Sequence, residues 1–546
     1  MRLGEPDGGG AGQDVDVVVV GAGFAGLYAL HRLRGLGLDV RVFEAGGGVG
    51  GTWYWNRYPG ARCDVPSLEY SYSFSPELEQ DWDWSEFFPA QPEIERYLNH
   101  VADRFDLRRD IELRTKVLAA TFDEASVRWQ VDTDAGARWT ARFLVMATGC
   151  LSVPSVPDVD GLASFRGRVL QTSRWPSDVD LTGTRIGLIG TGSSGVQVTP
   201  ELAAIAAHLY VFQRTPAYTW PSKNAPMDPA VQAGVKAQYR EMRVAQRTSP
   251  GGVSGFGGVP ILDAPRPGHA ILHATEEDIE AALDEYGFGA CRVWNDISTS
   301  PEANERAVGL YREMVHRTVH DPRTAQGLSR HGYPIGCKRP VLDVGYFDTF
   351  NQDNVSLIDL REDPIECVTP VGVRTASGHI DVDVIVLATG FDAMTGALTR
   401  IDIRGRGGLL LRDAWTDGAQ SLLGLQVCGF PNLFTVTGPG SPSVLANMVP
   451  GIEHHVEWIA DCLVHLRDRG LHTIEPLREA QEDWVDHVRQ VAEGTMYVAE
   501  SCNSWYLGAN IPGKPRVFLP YIGGFGRYIA ECQEIVDAGY RGFVTR

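Results

Sequence analysis

The sequence predicts an α/β chain in which one strand–turn–helix–strand unit occurs twice, with a helical segment inserted in the second copy. Two Gly-rich turns and two echoing strand ends predict it. The first copy opens at residues 16–20, a β-branched run that reads as a buried parallel strand. Gly21-Ala-Gly23-Phe-Ala-Gly26 follows, then a helix to about residue 36 and a strand over 39–43 that ends at Glu44. Ile94, Leu98, Val101 and Phe105 share one helical face. Strands are expected at 127–131 and 142–146, the latter running into Ala147-Thr148-Gly149. The second copy starts with a strand at 185–189 and the turn Gly190, Thr191, Gly192, Ser193, Ser194, Gly195, followed by a helix and a strand at 209–212. A strand at 382–387 ends in Ala388-Thr389-Gly390, the echo of the first. Polar helical patterns at 276–286 and 303–317 mark the insertion, and a strand at 433–436, the turn Gly438-Pro439-Gly440 and a helix at 451–467 lead into a Gly/aromatic-rich tail.

The expected division follows. Residues 14–150 and 386–546 form the first domain, 151–224 and 331–385 the second, and 225–330 the helical insertion, with 1–13 as a disordered leader. At 546 residues and 43% hydrophobic, the chain can bury more than one core. Its net charge of −20 speaks against a general polyanion-binding surface and hence against nucleic acid. Cations for any anionic ligand must be placed locally, and only five of the 49 basic residues are lysines. The nine cysteines lie no closer than 30 positions, as in Cys337 and Cys367. That spacing excludes a CxxC-type redox pair and a zinc knuckle, and suits a reducing compartment. No uninterrupted apolar run is long enough for a membrane span, so a cytoplasmic protein is expected. His454 and Glu457, one helical turn apart, lack a third ligand and read as ordinary helix residues, so no metal is expected.

The two turns give the chain its chemistry. Glycines at the first, third and sixth positions permit a tight turn and close approach of backbone to a pyrophosphate at a helix N-terminus. The fold class is therefore two Rossmann-like dinucleotide-binding domains. Glu44, 23 residues after Gly21, suits the ribose hydroxyls of the first dinucleotide. The matching position after Gly190 is Gln213, followed by Arg214 and Thr215. The carboxylate is missing and a cation has arrived, which favours a 2′-phosphate. FAD at the first site and NADPH at the second is the expectation. Without a neighbouring cysteine pair a flavin disulfide reductase is excluded, which leaves flavin oxygen chemistry.

A longer stretch then carries a family resemblance. Gly50-Gly51-Thr52-Trp53-Tyr-Trp-Asn-Arg-Tyr58-Pro59-Gly60-Ala-Arg-Cys-Asp64 resembles the pattern [AG]GxWxxxx[FY]P[GM]xxxD of Baeyer–Villiger monooxygenases. The resemblance runs from about 16 to 544. It includes Gly332-Tyr-Pro-Ile-Gly-Cys-Lys338-Arg339, the 438–443 turn and the stretch from Trp505 to Pro515, and is closest to the phenylacetone and steroid monooxygenase branch. One departure stands in the fingerprint FxGxxxHxxx[W][PD]: Phe165, Gly167, Trp175 and Pro176 are kept, but Gln171 replaces the histidine. Glutamine can still donate and accept hydrogen bonds, yet it cannot become a cation. In such enzymes this segment is a hinge-like link, so altered coupling with the activity class retained is expected.

The resemblance implies oxygen insertion beside a ketone carbonyl through a flavin C4a-peroxide, giving an ester or lactone from O₂ and NADPH. It implies Arg339 over the flavin as the catalytic cation, positioned by Asp64. Lys338 would join Arg214 on the 2′-phosphate, and Gln197 would lie at the cofactor. Trp53, Thr52 and Tyr70 would border the flavin, and Trp505 the nicotinamide side. Ser443, Val444, Leu445 and Met448 would line the substrate pocket. Two alternatives stay open: a flavin monooxygenase acting on sulfur or nitrogen, and a relative that holds FAD and NADP without turnover. Substrate identity and oligomeric state are not specified by these residues.

Overall fold

The computed structural model describes residues 13–255 and 270–546. Almost all of the expected 1–13 leader lies outside them, and Gln13 already belongs to the first strand, Gln13–Val20. Two sheets organise the chain. The first runs in the order Asp402–Arg404, Val117–Asp123, Arg128–Thr133, Arg138–Met146, Gln13–Val20, Val40–Glu44, Ile111–Leu113. Arg138–Met146 is long enough to change partners along one edge. Residues 138–141 pair antiparallel with Arg128–Thr133, while 144–146 pair parallel with Leu433–Thr435. That exchange brings the final third of the chain back into the first sheet.

The second sheet is wholly parallel, in the order Val355–Asp359, His208–Gln213, Arg185–Ile189, Val384–Leu387, Arg168–Gln171. Its central strands Arg185–Ile189 and Val384–Leu387 are short apolar runs buried on both faces, as a parallel sheet covered by crossovers requires, while the edge strand Arg168–Gln171 is largely exposed. Val384–Leu387 belongs whole to this sheet, so the return to the first domain comes after Leu387 rather than at 385–386.

The expected insertion at 225–330 is helical but divides between two cores. Val235, Tyr239 and Met242, on the helices Pro229–Lys236 and Tyr239–Thr248, join the core of the first domain. Ile279, Ala307, Val315 and Leu328 join the core of the second. Ion pairs reinforce the first attachment: Arg243 pairs with Glu79 and Arg247 with Glu457. Apolar stripes recur every turn in both halves, so periodicity alone does not say which core a helix joins.

Candidate active site

The two Gly-rich turns share one geometry. Gly21 has φ +104, and a Cβ there would lie 2.6 Å from the Ala147 carbonyl oxygen. Gly190 has φ +108, and a Cβ there would lie 2.5 Å from that of Ala388. The alanines that open the two Ala-Thr-Gly motifs thus back the two turns. In each case the sixth glycine, Gly26 or Gly195, packs against the carbonyl of the first. The following helices, Phe24–Arg34 and Ser193–Ile205, have no acidic residue in their first turn, so their positive ends stay available to a phosphate.

In the first domain Gly23 faces Gly51, and a Cβ on either would meet the other's Cα at about 3 Å. This bare cradle fits a dinucleotide backbone. Glu44 is buried; its Oε2 accepts the Ala22 N–H at 2.8 Å and its Oε1 that of Gly46 at 2.6 Å. Burial raises its pKa, and the two backbone donors oppose that rise. The Trp55 side chain is a third donor to this carboxylate, which leaves it room for one further hydroxyl. Thr52 is exposed at the start of the turn Thr52–Trp55, whereas Trp53 is buried and donates its indole N–H to the Tyr70 hydroxyl at 3.2 Å. Gln91, which carried no sequence signal, donates to the Trp53 carbonyl at 2.5 Å.

In the second domain Gly192 and Ser193 are exposed at the mouth of the turn, and Thr191 donates to the Thr215 carbonyl at 2.9 Å. Gln213 is buried and donates to the Gly327 carbonyl at 2.9 Å, so an amide holds the place where the first domain has its carboxylate. Arg214 is exposed beside it. Gln197, expected at the cofactor, commits both ends of its amide to the protein. It accepts from the Tyr58 hydroxyl at 2.7 Å and donates to the Arg62 carbonyl at 3.0 Å. It thereby ties this domain to the Tyr58–Asp64 stretch of the first.

Lys338 lies 4.2 Å above the ring of Tyr333, and burial together with the Arg214 charge brings its pKa down to about 8. The other groups near it are the disulfide-bonded Cys337 and the Arg339–Asp64 pair. Lys338 is charged below about pH 8 and loses its proton above it. With Lys338 on a 2′-phosphate, as the sequence resemblance implies, affinity for NADP⁺ is expected to fall as pH rises through about 8, and Lys338→Met should abolish that step. Titration of NADP⁺ between pH 7 and 9 measures it, and an unchanged profile in the variant would assign the step elsewhere.

Arg339 sits where the domains meet. Its Nη2 donates to Asp64 Oδ1 at 2.9 Å, its Nε donates to Asp64 Oδ2, and its Nη1 donates to the Val444 carbonyl at 2.6 Å. The fork holds the guanidinium in one plane. Val444 and Ser443 are buried, Leu445 and Met448 half-buried, and Ser443 takes φ +45, an unusual backbone for a non-glycine residue. Ser443 also contacts the Met394 sulfur at 3.8 Å. In the fingerprint, Phe165 and Trp175 pack into the second domain's clusters, and a Cβ on Gly167 would meet the Asp383 carbonyl oxygen at 2.3 Å. Pro176 is exposed at the end of that stretch. Gln171 pairs with Leu387 at the end of its strand, and its buried Nε2 has no hydrogen-bond partner among the described residues.

The cysteines require a correction. Cys337 and Cys502, 165 residues apart, form a disulfide with Cα atoms 6.2 Å apart. Sequence spacing detects only local pairs, and this one is made by the fold. It joins the segment before Lys338 and Arg339 to the loop bearing Trp505. Lys514, paired with Asp392 at 2.7 Å, and Asn510, donating to the Phe391 carbonyl at 2.8 Å, pin the same loop further on. Trp505 is accordingly half-buried rather than exposed. Reducing the bond, or Cys502→Ser, is expected to cost about 2–4 kcal/mol of stability. Denaturant unfolding with and without dithiothreitol measures it, with thiol titration confirming that the seven remaining cysteines are free. Coincident midpoints would show that the bond contributes nothing.

Glu457 accepts from both Arg247 Nη atoms at 2.9 Å, and the neighbouring His454 is held neutral by burial, with its pKa lowered to about 4. Glu457 thereby ties its helix, Met448–Asp468, to Tyr239–Thr248. No described helix is long and apolar enough to cross a membrane.

A profile of pyridine nucleotide-disulphide oxidoreductases matches residues 15–254. A Baeyer–Villiger monooxygenase of Pseudooceanicola batsensis is 40% identical over 98% of this chain and 96% of its own. The chain belongs to the Baeyer–Villiger monooxygenase family. As a member it is an NADPH-dependent flavin monooxygenase with the mixed α/β fold of that family. A solved structure of an oxidized steroid monooxygenase bound to NADP is 50% identical and superposes with a TM-score of 0.91, covering 98% of this chain and 99% of that one. A phenazine N-monooxygenase of Lysobacter antibioticus is 39% identical over 97% of this chain and 96% of its own.

Proposed function

We propose that this monooxygenase inserts one oxygen atom beside the carbonyl of a ketone to form an ester or lactone, with Arg339 as the catalytic cation and Asp64 as its positioning residue. Bound FAD, reduced by NADPH, supplies the activated oxygen. The observation that carries the reading is the Arg339 guanidinium, held by Asp64 through two nitrogens and by the Val444 carbonyl through a third. A fixed guanidinium stabilises negative charge on an attacking oxygen and then on the oxyanion formed at the ketone carbon. Asp64 sets its plane without consuming all five N–H donors. Arg214 and Lys338 take the 2′-phosphate of NADPH. Ser443, Val444, Leu445 and Met448 face the ketone, and Trp505 shields the nicotinamide side from water.

A second reading, transfer of oxygen to nitrogen or sulfur, is favoured by the 39% identity to a phenazine N-monooxygenase. A soft nucleophile takes oxygen from a neutral donor, whereas a ketone needs an anionic one, which Arg339 supports. The test is a panel of aryl, long-chain, macrocyclic and steroid ketones with amines and sulfides alongside, run with NADPH and with NADH. Esters from ketones with NADPH are expected. N- or S-oxides alone would favour the second reading, and an inert, flavin-loaded protein would leave only cofactor binding.

A further inference from the structure

Lys338 and Arg214 form an unusual pair on a chain of net charge −20. Neither has a carboxylate partner among the described residues, and each charge raises the cost of the other. What holds Lys338 is aromatic. Tyr333 is buried, and its ring face lies 4.2 Å from the Lys338 ammonium. Its hydroxyl donates to the Pro216 carbonyl at 2.8 Å, two residues from Arg214, and its own carbonyl accepts from the Tyr218 hydroxyl at 2.9 Å. Tyr218 meets the ring edge-on at 5.2 Å and stacks on His331 at 3.7 Å. His331 is neutral and donates its one N–H to one of the Ser329 and Ala217 carbonyls, which lie against its two ring nitrogens. The ring of Tyr333 therefore cannot swing away from Lys338.

We infer that Tyr333 is a positioning residue for coenzyme choice, holding Lys338 by its face and the Arg214–Pro216 segment by its hydroxyl so that the two cations converge on a 2′-phosphate. The inference rests on the assignment of those cations to that phosphate. A π face suits the task because it orients an ammonium without neutralising it, whereas a carboxylate would compete with the phosphate.

The experiment is calorimetric titration of the FAD-loaded enzyme with NADP⁺ and, separately, NAD⁺, for the wild type, Tyr333→Phe, Tyr333→Leu and Lys338→Met. Tyr333→Leu removes face and hydroxyl, and is expected to weaken NADP⁺ about tenfold while leaving NAD⁺ unchanged. Tyr333→Phe keeps the face and should lose less. Adding Tyr333→Leu to Lys338→Met should cost less than Tyr333→Leu alone, because the ring face acts through Lys338 and only the hydroxyl's hold on the Arg214–Pro216 segment remains to be lost. If Lys338→Met leaves NADP⁺ binding intact, the phosphate assignment itself fails. If Lys338→Met weakens NADP⁺ but Tyr333→Leu does not, the assignment stands and the role of Tyr333 falls. Equal weakening of both coenzymes by Tyr333→Leu would reduce Tyr333 to a structural support and overturn the inference.

Discussion

Arg339→Ala is expected to lower ester formation by about 10²–10³-fold or more while NADPH still reduces the flavin. The separation follows from geometry. Arg339 is one residue beyond Lys338, yet its donors turn away from the coenzyme cations toward Asp64 and Val444. Removing the guanidinium takes the positive charge from the place proposed for the oxyanion, and leaves Lys338 and Arg214 on their own segments. Arg339→Lys keeps a charge but cannot span both Asp64 oxygens and the Val444 carbonyl together, so most of the loss should persist. The alanine variant also leaves the partly buried Asp64 carboxylate without its partner, and Asp64→Asn in the same background separates that structural cost from the chemical one. Anaerobic stopped-flow reduction measures the first half-reaction and mass spectrometry of products the second. Undiminished ester formation in Arg339→Ala would remove Arg339 from the mechanism.

Gly21→Ala should yield a chain that binds FAD poorly or not at all. At φ +104 an alanine is strained by about 1–3 kcal/mol. Its Cβ would lie 2.6 Å from the Ala147 carbonyl oxygen, and backbone cannot rotate aside as a side chain can. Overpacking of this kind adds about 1–3 kcal/mol. The turn and the strand end at 147 must then separate, which opens the cradle at Gly23 and Gly51. The readouts are flavin absorbance per protein and the unfolding temperature. Gly190→Ala is the internal control, since its geometry is nearly the same at the second turn. It should weaken NADP⁺ and leave the flavin content intact. Loss of flavin in both variants would show that the domains do not bind independently.

Much of the architecture is legible in local pattern. The β-branched runs, the two turns, and the helices at 276–286 and 303–317 recur in the structure close to their expected bounds. The reason is that strand and helix periodicity and the backbone demands of a GxGxxG turn are written within a few residues. Arg339 and Asp64 were legible for a different reason: each sits in a motif whose residues match a family pattern, although 275 positions separate them. Gln197 shows what motif reasoning leaves out. Its place after the second turn suggests a cofactor contact, and its amide also bonds Tyr58 and Arg62, 139 and 135 positions away in the chain.

The sequence by itself determined the two nucleotide-binding units, the exchange of Glu44 for Gln213 and Arg214 between them, and the motif residues proposed to border the flavin. All of these depend on chemistry within single short segments. Only the tertiary structure decided that the helices at 229–248 join the first core, that Cys337 and Cys502 are bonded, and that Tyr333 holds Lys338. Those contacts depend on how distant segments pack. Packing is a property of the distances between segments once all apolar faces are buried together, and no spacing along the chain encodes it.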